Sequence, residues 1–209
     1  NIVTNFDMAK IVETSDEWIR ERTGIAERRI STGDTVASLS AKACKLALEM
    51  AGKKAEDVDL IIVATCSPEM LLPCAACQVQ GIIGAKNAVA FDLNAACSGF
   101  LFGLSTVYGY LQSGLYRNAL VVGAEVLSKI IDWTDRSTCV LFGDGAGAAF
   151  VEAVEENGDH AGIISISQGS DGARGMVLSC QERKLENPYI ENAIGEENNY
   201  VHMDGQEVY

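Results

Sequence analysis

Leu60-Ile61-Ile62-Val63-Ala64-Thr65 is a continuous apolar, β-branched run that ends just before Pro68. A run of this length with no polar face fits a strand buried on both sides, and such strands belong to parallel sheets covered by helices on both faces. The flanking segments agree. Thr35 to Met50 sets Val36, Leu39, Ala43, Leu46, Ala47 and Met50 at helical spacing, and Gly52 stands where a left-handed C-terminal residue belongs. Pro73 suits the first turn of a helix and Gly84 its exit. The pattern repeats through a strand over 88–93, a helix over 98–113 ending at Gly114, and a strand over 119–123. This alternation predicts an α/β fold. The Gly-rich stretch Gly143 to Ala149 leads into an expected strand over Phe150–Val154, with another over Gly162–Ser167. Residues 168–200 lack sustained periodicity and read as a long loop, at a site or an interface.

Ligands of open parallel sheets gather beyond the carboxyl ends of the strands, where the following helices point their N-termini. Cys66, Cys97 and Glu125 fall there. Cys97 is the most informative of them, because Asn94-Ala95-Ala96-Cys97-Ser98-Gly99-Phe100 joins a strand to a helix. Unpaired N–H groups in a first helical turn favour an anionic sulfur and offer donors to a developing oxyanion, which is the physics of a cysteine nucleophile.

The chain has 209 residues, 48% of them hydrophobic, enough for one domain or most of one. A formal charge of -13 argues against general electrostatic binding of nucleic acid or of an anionic membrane face. Arg20, Arg22, Arg28 and Arg29 supply a candidate basic patch, set against the plainer reading of a solvated charged face. Seven cysteines without the spacing of a disulfide framework suggest a reducing cytosol. The longest apolar runs are too short to cross a bilayer, so a soluble, cytoplasmic protein is expected. Asn1 is not an initiator methionine, and Asp204 to Tyr209 reads as the opening of an element, so the chain looks cut at both ends.

Cys44 and Cys139 suit packing, and Cys180 is uninformative. Cys74-Ala75-Ala76-Cys77 has the spacing of a redox or zinc pair, but no second ligand pair stands at suitable spacing, so helix packing is the favoured reading and no metal is expected. The only histidines are His160 and His202. The segment Gly143 to Gly147 lacks the ending of a P-loop and precedes a strand, so close backbone packing accounts for it better than phosphate binding. Trp18 fits ordinary core, or equally a face that stacks on a purine beside Arg20 and Arg22.

Taken together, Thr14-Ser15-Asp16-Glu17-Trp18-Ile19, Arg22-Thr23-Gly24-Ile25, Ala75-Ala76-Cys77-Gln78, Ala90-Phe91-Asp92 with Ala95-Ala96-Cys97, Thr134-Asp135-Arg136 and Phe142 to Ala148 resemble the β-ketoacyl-acyl carrier protein synthase III family. These are the condensing enzymes of the thiolase-like superfamily that initiate type II fatty acid synthesis. The resemblance implies a thiolase-like fold with a central mixed sheet flanked by helices, of which this chain is mainly the first half without its opening strand. Residues 1–167 would be that half, and 168–209 a connecting loop with the start of the next element. It implies that Cys97 accepts an acyl group, usually from acetyl-CoA, and that malonyl-acyl carrier protein is then decarboxylated and condensed to a 3-oxoacyl product.

The resemblance further implies that Trp18 and Arg136 sandwich the CoA adenine, that Thr14 and Arg22 lie near the nucleotide, and that Leu72 and Phe142 line the acyl pocket. Acyl-CoA is a substrate, no cofactor is needed, and a homodimer is expected. The family's histidine and asparagine partners of the cysteine have no match here, since neither His160 nor His202 falls in a matching motif. Condensation by this chain alone is therefore expected to be lost. The rival readings are a non-catalytic structural or dimerisation fragment, and a related superfamily synthase using another acyl-CoA.

Overall fold

In the computed structural model, which describes residues 1–155, 162–181, 188–189, 193–195 and 200–208, the elements follow in the order β1 (Ile2–Thr4), α1 (Asn5–Met8), α2 (Asp16–Thr23), β2 (Glu27–Arg29), α3 (Val36–Ala51), β3 (Leu60–Ala64), α4 (Ala75–Ile83), β4 (Val89–Leu93), α5 (Gly99–Gln112), β5 (Asn118–Val126), α6 (Arg136–Cys139), β6 (Asp144–Glu152), β7 (Leu178–Ser179), β8 (His202–Met203) and α7 (Gly205–Val208). They form two units. One comprises Asn1–Ile30, Leu127–Asp144 and Gly169–Tyr209, the other Ser31–Val126 and Gly145–Gln168.

The second unit is the α/β layer that the buried run demands. Its sheet has the order β4-β3-β5-β6. β3 pairs in parallel with β4, Leu60 opposite Val89, and with β5, Ile61 opposite Leu120. The Ala153 N–H bonds the Arg117 carbonyl at 2.9 Å, joining the end of β6 to the start of β5 and setting them antiparallel. All five residues of β3 are buried. Because successive side chains alternate, Ile61 and Val63 join Leu120 and Val122 under α3 and α4, while Leu60 and Ile62 join Ala119 and Val121 under α5. Each of these Ile, Leu and Val side chains contributes about 1.5–3 kcal/mol on burial.

Local signals set the helix ends. Thr35 and Ser38 cap α3 reciprocally, each hydroxyl accepting the other's N–H at 3.1 and 3.0 Å. Gly52 and Gly84 close α3 and α4 in the left-handed region, with φ of 63° and 79°. The first two N–H groups of α4 are taken by the Asp92 carboxylate of β4, Ala75 at 2.8 Å and Ala76 at 2.7 Å.

In the first unit β1 and β2 pair antiparallel, and Met8, Ile19, Ile131, Cys139 and Val140 form the core. This unit corrects the reading of a basic patch. Arg28 is buried, donating to Asn5 Oδ1 at 2.8 Å and to the carbonyls of Val140 and Val3 at 3.0 and 3.3 Å. Arg20 is paired with Asp16 at 2.8 Å and Arg29 with Glu27 at 2.6 Å. Arg28 thus serves folding, and Arg20 and Arg29 pair locally.

Three further expectations shift. The Gly-rich segment is itself strand, since β6 begins at Asp144 and ends at Glu152, short of Val154. Within it, close packing holds at Gly143, where a Cβ would stand 3.0 Å from the Arg29 carbonyl, while Gly145 and Gly147 face open space. Residues 162–167 take no strand, and Ile163, Ile164 and Ile166 are exposed there, since no strand among the described residues supplies a ladder to them. Past residue 168, β7 and β8 pair antiparallel where a plain loop is expected. His160 lies outside the described residues. No helix among the described residues is long and apolar enough to cross a membrane.

Candidate functional site

Cys97 follows directly from the way β4 is joined to α5. After Leu93 the Asn94 side chain accepts the Ala96 N–H at 3.2 Å, a local turn that Asn favours. Ala96 has φ +45°, alone among the described non-glycine residues in being positive. That conformation costs about 1–2 kcal/mol. Ala96–Ser98 form one 3-10 turn and α5 continues from Gly99. The chain therefore turns sharply at the residue before Cys97, whose side chain is exposed.

Two glycines seat the helix behind it. A Cβ at Gly99 would stand 3.0 Å from Ala64 Cβ, and one at Gly103 would stand 3.0 Å from Val121 Cγ1. Their spacing puts both on the face of α5 that meets the sheet. Close contact of helix and strand fixes the start of α5 over the carboxyl end of β3.

At that end the Glu125 carboxylate of β5 gathers the segment after β3. It accepts from the Cys66 N–H at 2.9 Å, from the Thr65 hydroxyl at 3.2 Å and from the Ser67 hydroxyl. Ser67 Oγ accepts in turn from the Val126 N–H at 2.9 Å. Burial first, and then Glu125 and Cys97, push the Cys66 thiol up to about 12. Cys66 is thereby held as a thiol through neutral pH, and Glu125 is a structural acceptor. Of the three residues that the sequence places at the strand ends, Cys97 is the exposed one.

Leu72 belongs to the same unit and is 86% exposed, beside Leu71 and Met70, which are also exposed. The other sequence-derived candidates lie in the first unit. The guanidinium carbons of Arg22 and Arg136 lie over the Trp18 ring, 4.5 and 5.0 Å from its centroid. Ser15 caps the helix that carries Trp18 and Arg22, accepting the Trp18 N–H at 3.1 Å. Asp135 caps α6, which carries Arg136, accepting from the N–H and hydroxyl of Ser137 at 2.9 and 2.6 Å. Arg136 also donates to the Glu13 carbonyl at 3.0 Å.

Beside this stack a cavity of about 400 Å³ is lined by Ile11, Val12, Glu13, Thr134 and Arg136. Thr14 Oγ1 is buried without a hydrogen-bond partner. Phe142 and Trp18 pack on the same apolar cluster. Ile11 and Val12 carry no chemical signature by which sequence reasoning could single them out. Burial would raise the Asp135 carboxyl, but hydrogen bonds from Ser137 and Thr138 hold it below its ordinary value, and His202 of β8 lies nearby.

Residues 91–183 match the family described as 3-oxoacyl-[acyl-carrier-protein (ACP)] synthase III. Over 208 residues the chain is 53% identical to a β-ketoacyl-[acyl-carrier-protein] synthase III of Clostridium acetobutylicum, with all of this chain and 62% of that protein covered. The crystal structure of the 3-oxoacyl-[acyl-carrier-protein] synthase III of Aquifex aeolicus superposes with a TM-score of 0.89 at 43% identity, covering 100% of this chain and 62% of that one. The priming β-ketosynthase of the R1128 polyketide pathway superposes with a TM-score of 0.87 at 34% identity, covering 100% and 60%. The chain thus spans just over six-tenths of the length of these relatives.

Proposed function

Because the chain belongs to the β-ketoacyl-[acyl-carrier-protein] synthase III family and shares its thiolase-like fold, we propose that it is the acyl-accepting part of a condensing acyltransferase. In this reading the Cys97 sulfur attacks the carbonyl of an acyl-CoA thioester, acetyl-CoA first of all. The CoA thiolate leaves and an acyl-Cys97 thioester remains. The complete protein then condenses that acyl group with malonyl-acyl carrier protein to a 3-oxoacyl product, in the cytoplasm, as a homodimer and without a resident cofactor. The observation that carries the reading is the exposure of Cys97 at the sharp turn between β4 and α5.

The nucleotide of CoA would lie against Trp18, with Arg136 on its other face and Arg22 and Thr14 nearby. A purine stacked between the two needs about 7 Å, twice a van der Waals contact of about 3.5 Å. Arg136 now stands 5.0 Å from the ring, so it releases the Glu13 carbonyl and swings outward to admit the base. Leu72 and Phe142 are the proposed acyl-pocket residues.

Intact mass spectrometry of the 209-residue chain before and after acetyl-CoA tests the acceptor. The expected result is one added acetyl group that is lost in Cys97→Ala. An acetyl group that persists in Cys97→Ala removes Cys97 as the acceptor. Absence of any acetyl group on the folded chain rejects the proposal that this part suffices for acyl acceptance. Condensation by this chain alone is expected to be absent, and 3-oxoacyl product from it would refute that.

A further inference from the structure

A second thiol, Cys66, is carried to the same strand ends as Cys97. Ala64 is the last residue of β3 and Gly99 the first of α5, and a Cβ at Gly99 would stand 3.0 Å from Ala64 Cβ and 3.9 Å from Ala64 Cα. The two Cα atoms are therefore within about 5.5 Å of each other. Four residues further along α5, a Cβ at Gly103 would stand 3.9 Å from Ile62 Cγ2, two residues back along β3. Helix and strand thus run antiparallel and in step, since four helical residues and two strand residues each cover about 6–6.6 Å.

Beyond the carboxyl end of β3 the same geometry extends outward. Cys97 stands two residues before Gly99 in the 3-10 turn, and Cys66 two residues after Ala64. The Thr65 N–H bonds the Leu93 carbonyl at 3.1 Å, which carries the ladder one residue past Ala64. Those two steps advance about 4 and 6.6 Å, so the cysteines are offset by only about 2.6 Å along the strand direction. With the lateral spacing their Cα atoms come about 6 Å apart, inside the span of about 4.4–6.8 Å that a disulfide bridges. Side chains alternate along a strand, so Cys66 shares the face of Ala64, which is the face that meets α5. Cys97 is also near enough to act on the ionisation of Cys66.

We propose that Cys66 is the resolving thiol of Cys97, closing a reversible disulfide with it after oxidation by a peroxide, so that acyl acceptance is suspended and over-oxidation of Cys97 is prevented. This role rests on Cys97 as the acyl acceptor. The Cys97 thiolate attacks one oxygen of hydrogen peroxide, the O–O bond breaks, hydroxide leaves, and Cys97 becomes a sulfenic acid. The Cys66 sulfur then attacks the Cys97 sulfur, the S–O bond breaks, and the displaced hydroxide leaves as water with the Cys66 proton. Two electrons pass from the two thiols to the peroxide, which ends as two waters. The surroundings set the order of events. Cys66 is half-buried, and burial, then Glu125 and Cys97, push its thiol up to about 12, so peroxide reacts first at the exposed Cys97.

The test is titration of the folded 209-residue chain with hydrogen peroxide, followed by acid quench, alkylation, intact mass and peptide mapping, with acetyl uptake from acetyl-CoA measured in parallel. The expected product has lost two hydrogens, has one link between Cys66 and Cys97, and takes up acetyl at least about tenfold less, a loss that a dithiol reductant reverses. In Cys66→Ser the same peroxide should leave Cys97 two oxygens heavier, and the loss of uptake should survive the reductant. Sulfinic acid on Cys97 of the parent chain in place of the link, a link from Cys97 to any other cysteine, or two thiols that stay fully alkylated would each overturn the proposal without reference to the variant. A link formed in a chain that takes up no acetyl group even before oxidation would uphold the thiol pair and overturn its role in acyl acceptance, so failure of the acceptor reading shows separately.

Discussion

Gly103→Ala and Gly109→Ala place the same methyl group on the same helix, and the second should stabilise while the first does not. Both residues sit inside α5, so both substitutions carry the same helix-propensity gain, about 0.8–1 kcal/mol. At Gly109 a Cβ meets nothing within 4 Å, so the gain stands alone. At Gly103 it would lie 3.0 Å from Val121 Cγ1 and 3.9 Å from Ile62 Cγ2. Carbon contacts are optimal at about 3.5–4.0 Å, so helix and sheet must part by roughly 0.5–1 Å. Val121 and Ile62 are fully buried in a packed strand face and cannot rotate away. Overpacking of this kind costs about 1–3 kcal/mol. Gly103→Ala should therefore be neutral to about 2 kcal/mol destabilised, Gly109→Ala about 1 kcal/mol stabilised, and the gap between them about 1–3 kcal/mol. Urea unfolding followed by circular dichroism reads both midpoints. An equal rise in both would refute the view that glycines are what allow α5 to sit against the sheet and position Cys97.

Gly99→Ala pushes on Ala64 Cβ, which has no rotamer to escape into, and should slow acylation of Cys97 in the mass assay with only modest loss of stability. Asp92→Asn keeps the shape but removes the charge that takes two N–H groups of α4, costing about 1–2 kcal/mol in urea unfolding. Cys66 should resist iodoacetamide at pH values where Cys97 is alkylated, since its thiol is held up to about 12, and equal labelling by peptide mapping would contradict the burial argument. Burial alone would raise the Asp135 carboxyl, but hydrogen bonds from Ser137 and Thr138 outweigh it and hold the group below its ordinary value. Its contribution is then complete above the unfolded value of about 3.9 and is lost as the pH falls through the lower folded value. Asp135→Asn should accordingly be less stable than the parent at neutral pH, with the gap closing in strong acid, as read by thermal melts across pH.

The sequence by itself determines the layers of the second unit and the position of Cys97 within them. A run such as Leu60–Ala64 admits one burial pattern, and the caps at Thr35, Gly52 and Gly84 act through the backbone of the few residues beside them. The order strand, turn, cysteine, helix is equally local, so Cys97 can be placed beside the strand ends before any tertiary contact is known. The tertiary structure decides what depends on residues distant in the chain. Arg28 is buried because Asn5 and the carbonyls of Val3 and Val140 converge on it, and Arg136 reaches Trp18 across more than a hundred residues. Cys66 and Cys97 are alike as residues. Glu125 and the sheet leave one a half-buried thiol, while the turn at Ala96 leaves the other exposed. The physical reason is range: hydrophobic period and capping are properties of neighbouring backbone, whereas burial, charge pairing and exposure of a sulfur are set by partners that only folding brings near.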